Sequence, residues 1–99
     1  MGAGASLPRK IRDQIIKANL PIQGSFSFRP MLGVNRRGDA IIQKGEVHDG
    51  PKAGKRGWVD EIGRIWIRDY AHADLPDHWD VQLPDGTDYL RVDMKGELL

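Results

Sequence analysis

The sequence predicts an α+β domain in which an N-terminal helix packs on a twisted, mainly antiparallel β-sheet. Three observations predict it. Apolar residues recur at helical spacing near the start of the chain, in Leu7, Ile11, Ile15 and Ile16. From Trp58 onward the apolar residues instead alternate with period two. Between the last two alternating runs stands Pro84-Asp85-Gly86-Thr87, whose Asp-Gly pair is a strong hairpin signal. A length of 99 residues allows one domain, and 24 Ile, Leu, Val and Phe residues supply a core, which argues against disorder.

The helix falls in segment 1–21. Ser6 can cap it, Pro8 suits its first turn, and Asn19-Leu20-Pro21 ends it. Its other face carries Arg9, Arg12, Asp13 and Lys17, read as a solvated surface or as one that meets RNA. Ser25-Phe26-Ser27-Phe28-Arg29 alternates as a half-buried strand does, and Pro30 removes a ladder donor after it. Gly33 to Asp39 reads as a turn, followed by a short strand around Ala40-Ile41-Ile42-Gln43. Residues 45–57 hold four glycines, a proline and the cations Lys52, Lys55 and Arg56, and read as a long basic loop suited to phosphates. Residues 58–95 form β-hairpins. In the first, Ile65 and Ile67 share one face and Arg64, Trp66 and Arg68 the other. Trp66 between two arginines is placed either to stack a base or to pack under a neighbouring loop.

The final hairpin permits a register. With a two-residue turn at Asp85-Gly86, cross-strand partners sum to 171, which joins Trp79 to Val92 and Val81 to Leu90 on an apolar face. The same register joins His78 to Asp93, Asp80 to Arg91 and Gln82 to Tyr89 on a polar face. Pattern and register agree independently.

A net charge of +1 conceals a division. Residues 1–57 hold eleven Lys/Arg against four Asp/Glu, a net +7, whereas residues 58–99 hold four against ten, a net −6. Such asymmetry suits a basic surface for a polyanion beside an acidic region of different purpose, or two solvated surfaces that folding brings together. Absence of cysteine excludes disulfides, thiolate zinc sites and a cysteine nucleophile. No apolar run approaches the ~18 residues of a bilayer span, and no signal-peptide core follows the start, so no membrane insertion is expected. The opening Met1-Gly2-Ala3-Gly4-Ala5-Ser6 fits a loose myristoylation pattern that arises easily by chance.

The polar face of the last hairpin gathers the inventory of phosphodiester cleavage. Breaking RNA through a cyclic phosphate needs a base for the 2′-hydroxyl, an acid for the leaving 5′-oxygen and cations around phosphorus. His78, Asp80, Arg91 and Asp93 are the candidate catalytic residues. Lys52, Lys55, Arg56, Trp66, Arg68, Gln82, Tyr89 and Lys95 are the candidate substrate-binding ones. The same face also reads as cross-strand ion pairs without catalysis. His72, Asp74, Asp77, His78 and Asp80 supply enough donors for a competing metal site, but no HExxH spacing is present, and no metal or cofactor is expected.

The stretch GRIWIRDYAHADLPDHWDVQLPDGTDYLRVDMKGEL resembles the C-terminal toxin domains of bacterial contact-dependent inhibition and other polymorphic toxin systems, which often end in a phrase like HWDVQ, a glycine turn and a strand. It is more distantly similar to the cytotoxic domain of the ribosomal-RNA-cleaving colicins. The resemblance covers about residues 57–98. It implies a metal-independent endoribonuclease acting on ribosomal RNA or tRNA, with Asp80 carried over as catalytic. Where the colicin pattern has a histidine after Trp-Asp-x-Gln, this chain has Leu83, so His78 is a candidate from its face and chemistry. The resemblance further implies delivery within a larger effector, action in the target-cell cytoplasm and inhibition by a cognate immunity protein, with the free domain a monomer. A non-catalytic RNA- or protein-binding β domain and a metal-dependent nuclease are the alternatives.

Overall fold

The computed structural model describes residues 7–70, 74–86 and 88–99. The myristoylation-like opening, the Ser6 cap, His72 and Thr87 lie outside the described residues. Its first element is helix α1, Arg9–Lys17. Pro8 stands at the N-cap, and its carbonyl accepts the Ile11 and Arg12 N–H groups, each at 3.0 Å. The helix ends in a Schellman motif. Asn19 takes the left-handed conformation at φ 61°, while its N–H bonds Ile16 O at 3.0 Å and that of Leu20 bonds Ile15 O at 3.1 Å. Ile11 and Ile15 are buried, but Ile16 is 61% exposed, because it sits one position past the buried stripe.

Residues 25–29 do not form the expected strand. Their alternation buries Phe28 and half-buries Phe26, yet the backbone bonds elsewhere, Phe26 N to Gly96 O at 2.8 Å and Phe28 N to Pro21 O at 2.7 Å. Period-two burial thus arises without a ladder. Strands β1 (Leu32–Val34) and β2 (Ala40–Ile42) form a separate antiparallel pair closed by a turn at Asn35, whose Oδ1 accepts the N–H groups of Arg37 and Asp39.

Five further strands follow: β3 (Lys44–Glu46), β4 (Arg56–Val59), β5 (Ile65–Asp69), β6 (His78–Gln82) and β7 (Tyr89–Asp93). They lie antiparallel in chain order. The segment 45–57 is therefore a hairpin rather than a wholly irregular loop: its ends enter β3 and β4, and Val47, at 3% exposure, anchors it. Gly57 has no room for a side chain, since a Cβ there would strike the Trp66 carbonyl. The register of β6 and β7 is the one the hairpin signal predicts, His78 opposite Asp93 through Gln82 opposite Tyr89.

Paired residues share a face, so the register sorts the sheet. Trp58, Trp66, Trp79, Val81, Leu90 and Val92 face one way; Ile65, Ile67, Asp69, His78, Asp80, Gln82, Tyr89 and Arg91 face the other. The first set joins Ile11, Ile15, Leu20, Phe28 and Ile42 in the core. Trp66 anchors that core, edge-on to Phe28 at 5.5 Å and to Trp79 at 6.3 Å. No helix of the described residues is long and apolar enough to cross a membrane.

Candidate functional site

The second face of the sheet carries polar groups that are nevertheless buried. His78 and Asp80 project from β6 on the same side because they are two residues apart, and they are 0% and 1% exposed. The His78 Nδ1 lies 2.8 Å from the Pro76 carbonyl, an acceptor only, so this nitrogen carries a hydrogen. Nε2 then lies 3.2 Å from Asp69 Oδ2 and 3.3 Å from Asp80 Oδ1. A proton on Nε2 has a carboxylate on either side. Asp69 enters from β5, directly opposite His78, with its side chain 32% exposed.

The 47–55 loop completes the cluster. Its backbone is fixed by Val47 N to Lys55 O at 2.9 Å and Gly54 N to Val47 O at 2.8 Å, which brings Lys52 back over the sheet. The Lys52 ammonium lies 2.7 Å from Asp80 Oδ2 and 4.7 Å above the Tyr89 ring. Burial pulls the Lys52 pKa down, but the Asp80 hydrogen bond and the charges of Asp80, Tyr89 and Asp69 outweigh it and hold it above the usual lysine value. Arg91 completes the rim, 43% exposed and 3.8 Å from Asp80 Oδ1.

Seven of the sequence-predicted residues share this face: Lys52, His78, Asp80, Gln82, Tyr89, Arg91 and Asp93. Gln82 is a brace as well, since its Nε2 donates to Gly86 O at 2.8 Å and Asp88 O at 2.9 Å across the β6–β7 turn. Asp93 stands opposite His78, yet its Oδ1 accepts the Lys95 and Glu97 N–H groups at 2.8 and 2.9 Å. The Glu97 N–H is the main cause holding its carboxyl below the usual range, so its work is to cap the C-terminal turn.

The remaining expectations fall elsewhere. Trp66 is 0% exposed in the core, its indole N–H bonded to Asp60 Oδ2 at 2.9 Å, and offers no face to a base. Arg68 lies on the core side, bonded to Asp77 Oδ2 at 3.0 Å and stacked over Trp79 at 5.5 Å. Lys55 and Arg56 are exposed but outside the cluster, and Lys95 lines a groove with Ile16, Asn19 and Arg68.

Two carboxylates escaped the sequence reading. Asp69 shares the parity of Ile65 and Ile67, which was a signal, but its meeting with His78 depends on how β5 pairs with β6. Asp60 is structural: 1% exposed, it binds the N–H groups of Ile62 and Arg64, the Arg64 Nε and the Trp66 indole. It fixes the β4–β5 turn, and no pattern in the chain announces it.

Chemically, the cluster offers a proton path from a half-buried carboxylate at the rim through an imidazole to a buried carboxylate, with two cations alongside. One nitrogen of His78 and one oxygen each of Asp69 and Asp80 also lie within 4.8 Å of one another, a spacing that can hold a metal ion. This set differs from the expected one, because Asp77 is committed to Arg68 and Asp69 takes its place. Lys52 already supplies a positive charge to Asp80, so a metal ion would have to displace or accommodate it. Comparison with protein-family models, curated proteins and solved structures finds no match to this chain.

Proposed function

We propose that this chain is an endoribonuclease that cleaves ribosomal RNA or tRNA by metal-independent acid–base chemistry. One observation carries the proposal: the chain Asp69–His78–Asp80, in contact at 3.2 and 3.3 Å and opening to solvent at Asp69. Asp69 takes the proton of the 2′-hydroxyl, because it is the member of this chain that a substrate can reach. His78, held by Pro76, orients Asp69 and receives or returns the proton, while Asp80 stabilises the imidazole from behind. Lys52 and Arg91 hold the phosphate oxygens as charge develops on phosphorus. The 2′-oxygen bonds phosphorus, the bond to the 5′-oxygen breaks, and that oxygen takes the proton back from the Asp69–His78 pair by way of Asp69, leaving a 2′,3′-cyclic phosphate.

The likeness of HWDVQ and its hairpin to polymorphic toxin domains supports the same reading and extends it to delivery into a target-cell cytoplasm. A cognate immunity protein covering Asp69 and Arg91 would then shut the site off. A metal-dependent nuclease is the second reading, favoured by the donor spacing of Asp69, His78 and Asp80.

The test is incubation of the purified chain with total bacterial RNA in chelator, beside Asp69→Asn, read on a denaturing gel and by end-group analysis. Discrete cleavage leaving cyclic phosphate, lost in the variant, is expected. Cutting that requires added divalent metal would replace this mechanism with the metal-dependent one. Intact RNA under both conditions would overturn the nuclease reading.

A further inference from the structure

The three donor atoms at the centre of the polar face have a second use besides carrying a proton. His78 Nε2 stands 3.2 Å from Asp69 Oδ2 and 3.3 Å from Asp80 Oδ1. Because Nδ1 carries the hydrogen that meets Pro76 O, the neutral ring turns a lone pair toward both oxygens. Electron pairs this close repel unless something positive lies among them. On the ribonuclease reading that charge is a proton, and a small metal cation is its chemical equivalent.

Each buried donor is held from behind in the way a metal ligand is. A metal-bound histidine donates its other N–H to a carbonyl or carboxylate, which fixes the ring and its tautomer, and Pro76 O accepts this bond from His78 at 2.8 Å. Lys52 grips Asp80 by Oδ2 at 2.7 Å, so the ammonium and an ion need not share one oxygen. The other oxygen, Oδ1, is buried and accepts no hydrogen bond from any described residue, and Arg91 approaches it only to 3.8 Å. Asp69, whose side chain is 32% exposed, gives an ion its way in.

The spacing selects the ion. Zinc binds nitrogen and carboxylate oxygen at about 2.0–2.2 Å in a tetrahedron, which sets its ligand atoms about 3.3 Å apart. Both distances from His78 Nε2 match that edge, and all three donor atoms lie within 4.8 Å of one another, so only the rim carboxylate has to adjust. Calcium and magnesium prefer all-oxygen sites, whereas an imidazole with two carboxylates suits zinc. An ion there occupies the Asp69 oxygen that would take the 2′-hydroxyl proton and the His78 nitrogen behind it. We propose that Asp69, His78 and Asp80 bind a zinc ion, and that the bound ion switches off the acid–base ribonuclease. The metal site stands on the geometry alone; the inhibition rests on the ribonuclease reading.

Binding and inhibition are measured separately. Calorimetric titration of the chelator-treated chain with zinc chloride is expected to show a single ion bound in the micromolar range or tighter, and magnesium chloride no binding. Isotope-labelled histidine locates the ion: zinc should move the ring Nε2 resonance of His78 and leave that of the exposed His48 in place. Losing even an outer partner of a metal ligand costs about tenfold or more in affinity. Asp69→Asn, which alters a ligand at the rim, should weaken zinc at least that much, and His48→Ala should leave it unchanged. In the RNA assay, free zinc held above its dissociation constant should suppress the cleavage seen in chelator by about tenfold or more, and renewed chelator should restore it. Absence of zinc binding, binding that survives Asp69→Asn, or cleavage that zinc leaves unchanged or accelerates would overturn the proposal. Zinc at His78 with RNA intact in chelator would uphold the metal site and remove the nuclease, and cleavage in chelator without any zinc response would do the reverse.

Discussion

The two faces of the five-stranded sheet are both buried, but by different means. On one, Trp66, Trp79, Val81 and Val92 are sealed by other apolar side chains from α1 and from residues 20–42. On the other, His78, Asp80 and Gln82 are sealed by specific partners: Asp69, Lys52 and the carbonyls of a turn. Strand β6 belongs to both, since all five of its residues are buried. The contrast teaches that burial alone does not mark a core. An apolar face tolerates any well-packed neighbour, whereas a buried polar face exists only while each named partner is in place.

Substitutions sharpen the contrast. The largest effect is expected on the apolar side, where Trp66→Ala should cost about 3–5 kcal/mol. That is a large share of the roughly 5–15 kcal/mol that holds a small domain together, and a urea titration should find the midpoint of the variant shifted strongly toward water. Next, on the ribonuclease proposed above, comes Asp69→Asn, which should lower RNA cleavage by about a hundredfold or more while moving the urea midpoint far less than Trp66→Ala does, because the side chain is at the rim. A matching loss of stability would show Asp69 to be structural.

Lys52→Met lies between these extremes. It strips Asp80 of its closest cation and should cost about 1–3 kcal/mol, with faster amide exchange confined to residues 47–55. The same pair responds to pH. The pKa of Lys52 is raised in the folded chain above its ordinary 10.5, so its contribution is complete below pH 10.5 and declines as pH rises through the higher, folded value. The gap in urea midpoint between wild type and Lys52→Met should therefore be constant at neutral pH and narrow only above 10.5. Smallest is Lys95→Ala, exposed and away from the cluster, which should change stability by less than about 0.5 kcal/mol and leave cleavage nearly unaltered.

What the sequence made legible was local. The Asp85-Gly86 turn and the alternation around it fixed the β6–β7 register, and with it the company of His78, Asp80, Gln82, Tyr89 and Arg91 on one face. Contacts between segments were not legible in this way. Whether Lys52 reaches Asp80, or Asp69 meets His78, depends on how hairpins lie beside one another, and residues 45–57 carry no periodicity that states it. Ser25 to Arg29 failed for a related reason: the alternation of Phe26 and Phe28 records which side chains face the core, not where the backbone bonds. Trp66 had two readings, and nothing in its arginine neighbours revealed that Asp60 would draw its indole inward.

The order of the sheet bears on how the chain reaches this state. Strands β3 to β7 neighbour one another in the same sequence in which they are synthesised, so each hairpin can form from residues already close along the chain, and the loop-closure entropy for this part is small. The most distant junction differs. The turn at residues 23–26 docks on the C-terminal turn through Phe26 N to Gly96 O, with Ser25 meeting Glu97 across 72 residues. Gly96, at φ 86°, has no space for a side chain against the Gln23 carbonyl, so this contact tolerates little misfit. Rapid zipping of the meander followed by a slower latch between the two distant turns is the folding order that this topology favours.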